Sequence, residues 1–133
     1  MAAPVPDAGP AGGGPAGGGP VSVLLAEHEP EVAEMSARYL RRDGLRVRLV
    51  TTPELALAEL TRGPDAVAVL DLTMPGLDPR RVRRALRTPV ILLVAGPRPR
   101  GLGPASARRW LSRPFSPRQL VTLVRDVPVG AVP

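Results

Sequence analysis

Asp71 stands where a side chain can do chemistry. It ends the apolar run Ala66-Val67-Ala68-Val69-Leu70, and Leu72-Thr73-Met74-Pro75-Gly76 follows at once. The run is too short for a helix and does not alternate, so it is expected to form a strand buried on both faces of a parallel sheet. Asp71 then sits at the strand's carboxyl end, where open α/β sheets place their ligand crevices. A carboxylate there can hold a metal, meet a phosphate or attack as a nucleophile. A second polar cluster, Glu27-His28-Glu29-Pro30, leaves the carboxyl end of another such run, Val21-Ser22-Val23-Leu24-Leu25-Ala26.

The elements that must position these groups follow from periodicity. A helix is expected from Glu31, with Val32, Met35, Ser36, Tyr39 and Leu40 on one face and Gly44 as its stop. Residues 46 to 50 alternate, with Val47 and Leu49 inward, as in a less fully covered strand. Thr51 and Glu54 have capping-box spacing, and Pro53 suits an early helical position, so a helix should run to about Arg62 and break at Gly63-Pro64. After Asp71, residues 80 to 87 form a short helix with Val82, Ala85 and Leu86 inward. Residues 89 to 95 read as another fully buried strand. Residues 96 to 104 carry three Pro and three Gly, so any helix there is late and short. Trp110-Leu111 is a brief last strand. Ser116-Pro117-Arg118-Gln119 opens a final helix with a capping box, and Leu120, Leu123, Val124 and Val127 recur on one face. Alternation of this kind implies an α/β, doubly wound parallel sheet with right-handed crossovers.

Composition bounds the rest. The chain has 133 residues, and the Gly/Pro/Ala-rich stretch of residues 1–20 offers nothing to bury, so it reads as a disordered tail. Residues 21–127 suit one small domain, with a short C-terminal tail at residues 128–133. The chain has no cysteine, which excludes disulfides and thiolate metal sites and fits a cytoplasmic protein. No apolar run approaches the roughly 18 residues of a bilayer span, so no membrane partner is expected. The net charge is +6, all of its basic residues being Arg. With three aromatic residues in all (Tyr39, Trp110, Phe115) there is no stacking platform for single strands, and the Arg-only usage is the signature of a GC-rich genome. Nucleic acid is therefore not the expected partner.

The chain resembles the receiver domain of bacterial two-component response regulators over nearly all of residues 21–127. The resemblance rests on Glu27-His28-Glu29-Pro30, on the string Asp71-Leu72-Thr73-Met74-Pro75-Gly76-Leu77-Asp78, on Pro89-Val90-Ile91-Leu92-Leu93-Val94 and on Arg113-Pro114-Phe115-Ser116. It implies a flavodoxin-like five-stranded sheet of order 2-1-3-4-5, here with a shortened third helix and a weak or missing fourth. It also implies that Asp71 is the phosphoacceptor for a histidine kinase, and that Glu27, Asp71 and the backbone carbonyl of Thr73 hold Mg²⁺. His28 stands at the second position of the family's acidic pair. Val94 stands where the family has a Thr or Ser that follows the phosphoryl group, Arg113 where it has a phosphate-contacting Lys, and Trp110 at its switching aromatic position.

These departures set expectations for the chemistry. Mg²⁺ prefers oxygen ligands, and an imidazole at His28 suits transition metals better, so Mg²⁺ binding should be weak or absent. Arg113 keeps the charge of a Lys in a larger planar fork and is able to pair directly with Asp71. Val94 has no hydroxyl to draw toward a phosphoryl oxygen, so conventional switching is impaired. His28 reads as a solvated loop residue, and Arg80, Arg81, Arg83, Arg84 and Arg87 as a solvated helix face. The expected function is an atypical receiver domain in a phosphorelay, not an enzyme in its own right. Its partners would be a histidine kinase or other signalling protein and, with no output domain legible after the last helix, a separate output protein. A second reading is a phosphorylation-independent pseudo-receiver that binds a protein or small ligand. A third is a basic nucleic-acid-associated module.

Overall fold

The computed structural model describes residues 21–62, 65–85, 90–95 and 108–127. The tails expected at residues 1–20 and 128–133, the helix break at Gly63-Pro64, Leu86 and Arg87, and the Pro/Gly-rich residues 96 to 104 lie outside these. The elements are β1 (Ser22–Ala26), α1 (Pro30–Arg42), β2 (Arg46–Val50), α2 (Pro53–Arg62), β3 (Val67–Asp71), α3 (Pro79–Ala85), β4 (Val90–Val94), β5 (Arg108–Ser112) and α4 (Pro117–Asp126). All five strands pair in parallel, in the order β2-β1-β3-β4-β5. Among the described residues this is the doubly wound sheet with four helices that the sequence predicts, with seven residues of α3 described.

Burial explains the sequence of each strand. β3 and β4 are buried at every position, as central parallel strands covered on both faces must be. Their side chains still divide by the two-residue period of a strand. Val23, Leu25, Val67, Val69, Ile91, Leu93 and Leu111 form one core layer with Ala37 and Leu40 of α1 and Leu120 and Val124 of α4. Leu24, Ala26, Ala68, Leu70, Val90 and Leu92 form the other with Ala56 and Leu60 of α2 and Val82 of α3. Burying each such Leu or Val contributes roughly 1.5–3 kcal/mol, which is what holds four short helices on the sheet.

Three local expectations are corrected. The buried face of α1 is Ala33, Ser36, Ala37 and Leu40, while Met35 is 47% exposed. The small alanines let the helix backbone approach the sheet, and the bulkier Val32, Met35 and Tyr39 lie to the side. The cap of α2 is Thr52, whose Oγ1 accepts from the Leu55 N–H at 3.2 Å, one residue later than Thr51. β5 begins at Arg108, before Trp110, because its ladder to β4 pairs Arg108 and Arg109 with Val90 and Ile91 whatever their side chains. The capping box of α4 is formed as expected, Ser116 accepting from the Gln119 N–H and Gln119 from that of Ser116. α1 closes in a Schellman arrangement, with Gly44 at φ +88° and the Leu45 N–H bonded to the Leu40 carbonyl at 3.1 Å.

Candidate functional site

The crevice is built by extending three strands one step along the same face. Val69 and Asp71 share a face of β3. Glu27 stands two residues beyond Leu25 and Arg113 two beyond Leu111, on that face as well. Backbone bonds carry the pleat past the ends of β1 and β5: the Glu27 N–H bonds the Val50 carbonyl at 3.1 Å, and the Arg113 N–H bonds the Val94 carbonyl at 2.8 Å. Glu27, Asp71 and Arg113 therefore converge at the carboxyl edge of the sheet, on the side covered by α1 and α4.

The turn after β3 sets the orientation of Asp71. Its Oδ1 accepts from the Thr73 N–H at 2.9 Å and from Thr73 Oγ1 at 2.5 Å, an Asx turn. The Met74 N–H returns to the Asp71 carbonyl and that of Leu77 to the Met74 carbonyl. Gly76 completes the turn at φ +86°, where a Cβ would come within 3.3 Å of Pro53.

Asp71 and Glu27 are fully buried, and their charges are met from two sides. On one side Arg113 Nη2 lies 2.7 Å from Glu27 Oε1 and 2.9 Å from Asp71 Oδ1. The guanidinium is also stacked near the Phe115 ring, with Cζ 5.7 Å from its centroid. On the other side His28 Nδ1 lies 2.5 Å from Asp71 Oδ2 and 3.8 Å from Glu27 Oε2. The Glu29 N–H donates to Glu27 Oε2 at 3.1 Å, while the Glu29 side chain is exposed. The expectation of a solvated His28 is thus corrected: the imidazole turns into the crevice, because Asp71 offers it a buried acceptor.

The electrostatics follow from this geometry. Burial pushes the Asp71 carboxyl up, but hydrogen bonds from Thr73, His28 and Arg113 outweigh it and hold Asp71 well below the usual carboxylate range. Glu27 goes the other way. Burial raises it, and the neighbouring Asp71 adds to the rise against the opposing bonds from Arg113 and the Glu29 amide. Arg113 is raised despite its own burial, by its bonds to Glu27 and Asp71. One firmly ionised carboxylate, one proton-prone carboxyl and one firmly charged guanidinium share the pocket.

The remaining singled-out residues take different places. Val94 ends β4, is buried, and reaches the crevice through its backbone carbonyl on Arg113. Trp110 pairs with Leu92 in register and packs against the core layer on the α2 and α3 side. Thr73 contributes its hydroxyl and its amide, a role that sequence reasoning missed, having considered only its carbonyl. The signal was present in the Asp-x-Thr spacing ahead of a Pro-Gly turn. Among the described residues, one oxygen each from Glu27 and Asp71 and one ring nitrogen of His28 lie within 4.8 Å of one another, where they could serve as donors to an ion.

No family model matches the chain. It is similar to the sensory transduction protein RegX3 of Mycobacterium tuberculosis, 33% identical over 114 residues that make up 80% of this chain and 50% of RegX3. The chain thus spans about half the length of that relative. Among solved structures it is similar to the receiver domain of Francisella response regulator 1452, with a TM-score of 0.69 and 25% identity over 80% of this chain and 95% of that one. The receiver domain of the Pseudomonas aeruginosa sensor histidine kinase PA1611 shares the fold, with a TM-score of 0.68 and 24% identity over 81% of this chain and 97% of that one. It is described with a magnesium ion coordinated in its active-site cleft. With the sheet order and the strand-end crevice, these likenesses show that the chain has the receiver-domain fold and is similar in sequence to response regulators.

Proposed function

We propose that residues 21–127 act as a receiver domain in two-component signalling with Asp71 as phosphoacceptor, in a crevice whose resident cation is Arg113. The observation that carries this reading is the convergence on Asp71 of Thr73, His28 and Arg113 at the carboxyl end of β3. In the transfer an Asp71 oxygen attacks the phosphorus of a kinase phosphohistidine. The P–N bond breaks, an acyl phosphate forms on Asp71, and the imidazole takes up a proton. Asp71 Oδ1 is engaged by Thr73 and Arg113, so Oδ2 is the attacking atom once His28 swings aside. Phosphoryl transfer needs positioning and positive charge more than covalent help. Arg113 supplies charge at the site, and its fork suits two phosphoryl oxygens.

Magnesium fits these residues poorly. Arg113 already lies on one oxygen of each carboxylate, and the third donor is an imidazole, where a hard octahedral ion prefers oxygen. This supports weak Mg²⁺ binding, and no step is routed through the ion. Val94 and the inward-packed Trp110 support impaired switching of the usual kind.

Intact-mass measurement after incubation with acetyl phosphate tests the proposal. An acid-labile phosphoryl adduct is expected on the native chain and not on Asp71→Asn. No adduct from acetyl phosphate or from a phosphorylated histidine kinase would overturn it. The saturation of both Asp71 oxygens by donors favours the second reading in that event, a pseudo-receiver held in one state by Arg113 and His28.

A further inference from the structure

The two buried carboxylates have two edges, and only one is taken by Arg113. Glu27 Oε1 and Asp71 Oδ1 face the guanidinium. Asp71 Oδ2 and Glu27 Oε2 face His28 Nδ1 at 2.5 and 3.8 Å. We infer that this second edge is a binding site for a borderline transition-metal ion such as Zn²⁺ or Co²⁺, in preference to Mg²⁺. The inference does not depend on whether Asp71 accepts a phosphoryl group.

The donor chemistry selects the ion. One imidazole nitrogen with two carboxylate oxygens suits Zn²⁺, Co²⁺ or Ni²⁺, whereas Mg²⁺ seeks oxygen ligands in a near-ideal octahedron. An ion with bonds of about 2.0–2.2 Å needs donors about 3–3.5 Å apart. The two distances at His28 Nδ1 bracket that spacing, so the imidazole needs to back off Asp71 only slightly. The edge is also within reach of solvent, since the imidazole is 29% exposed. Ligation at Nδ1 displaces the proton shared with Asp71 to Nε2 or to solvent. An ion seated there would cover Asp71 Oδ2, the oxygen left for phosphoryl attack.

The chain makes the test clean, because His28 is its sole histidine and it has no cysteine. The untagged protein is titrated with Co²⁺ near neutral pH while visible absorption and the imidazole ¹⁵N resonances are followed. One equivalent is expected to produce d–d bands and to shift Nδ1, with Zn²⁺ displacing the cobalt and excess Mg²⁺ failing to do so. His28→Ala should lower the Co²⁺ affinity tenfold or more, and His28→Asp should shift the preference toward Mg²⁺. Circular dichroism checks that both variants fold. Absence of a stoichiometric Co²⁺ signal, equal displacement by Mg²⁺, or unchanged binding in a folded His28→Ala would each overturn the inference.

Discussion

Arg113 Nη2 pairs with Asp71 Oδ1 at 2.9 Å, tying the residue after β5 to the last residue of β3. The same nitrogen reaches Glu27 Oε1 at 2.7 Å, after β1. Three strand ends are thereby joined through one guanidinium, at the place where two buried carboxylates meet. Two fully buried carboxylates at this distance repel each other, and the cation between them is what makes the pair tolerable.

Removing that cation should therefore be costly. Arg113→Ala is expected to lower unfolding free energy by roughly 3 kcal/mol, since it leaves two buried carboxylates without their partner. Urea denaturation checks this. A loss below about 0.5 kcal/mol would show that the guanidinium carries no such burden.

Asp71 also makes stability depend on pH, with a definite sign. Its carboxyl is held below its ordinary value of 3.8 in the fold, so its contribution is present above that pH and drains away as pH falls further. The stability advantage of the native chain over Asp71→Asn, about 1–3 kcal/mol at neutral pH from charge-assisted bonds, should shrink steadily as pH drops below about 4. An advantage that grows on acidification would contradict the assigned direction.

Gly76→Ala is expected to cost about 1–2 kcal/mol, because the position has φ +86° and an added Cβ would press on Pro53. Thermal melts of the variant measure it. The companion glycine, Gly44, has the same backbone sign but open space around it, so its alanine variant should cost less.

The helix caps give a control away from the crevice. Ser116→Ala should lower stability by about 1 kcal/mol by releasing the Gln119 N–H at the start of α4. Thr51→Ala should do almost nothing, whereas Thr52→Ala should cost about 0.5–1 kcal/mol, since Thr52 is the residue that caps α2.

How much of this was legible in the sequence depended on what signals each feature. Strands β3 and β4 announce themselves by uninterrupted apolar runs, and α4 by its Ser-Pro-x-Gln start. The face of α1 misled because its contact residues are Ala33 and Ala37, which carry little hydrophobic signal beside Val32 and Met35. β5 extends beyond its apolar Trp110-Leu111 signal because an edge strand tolerates Arg108 and Arg109. At the site, Asp71 is legible from its strand-end position, and Glu27 and Arg113 from the resemblance to receiver domains. That His28 turns inward, and that Thr73 gives its hydroxyl to Asp71, depends on the turn geometry after β1 and β3. One residue type at one position does not disclose that.

On the proposed reading, Arg113 stands where a metal would otherwise neutralise Glu27 and Asp71. Calorimetric titration with Mg²⁺ of the native chain and of Arg113→Ala tests it most directly. Weak binding by the native chain is expected, with binding at least about tenfold tighter once the guanidinium is gone, a gain of about 1.4 kcal/mol. Tight Mg²⁺ binding by the native chain, unchanged or weakened in Arg113→Ala, would contradict it.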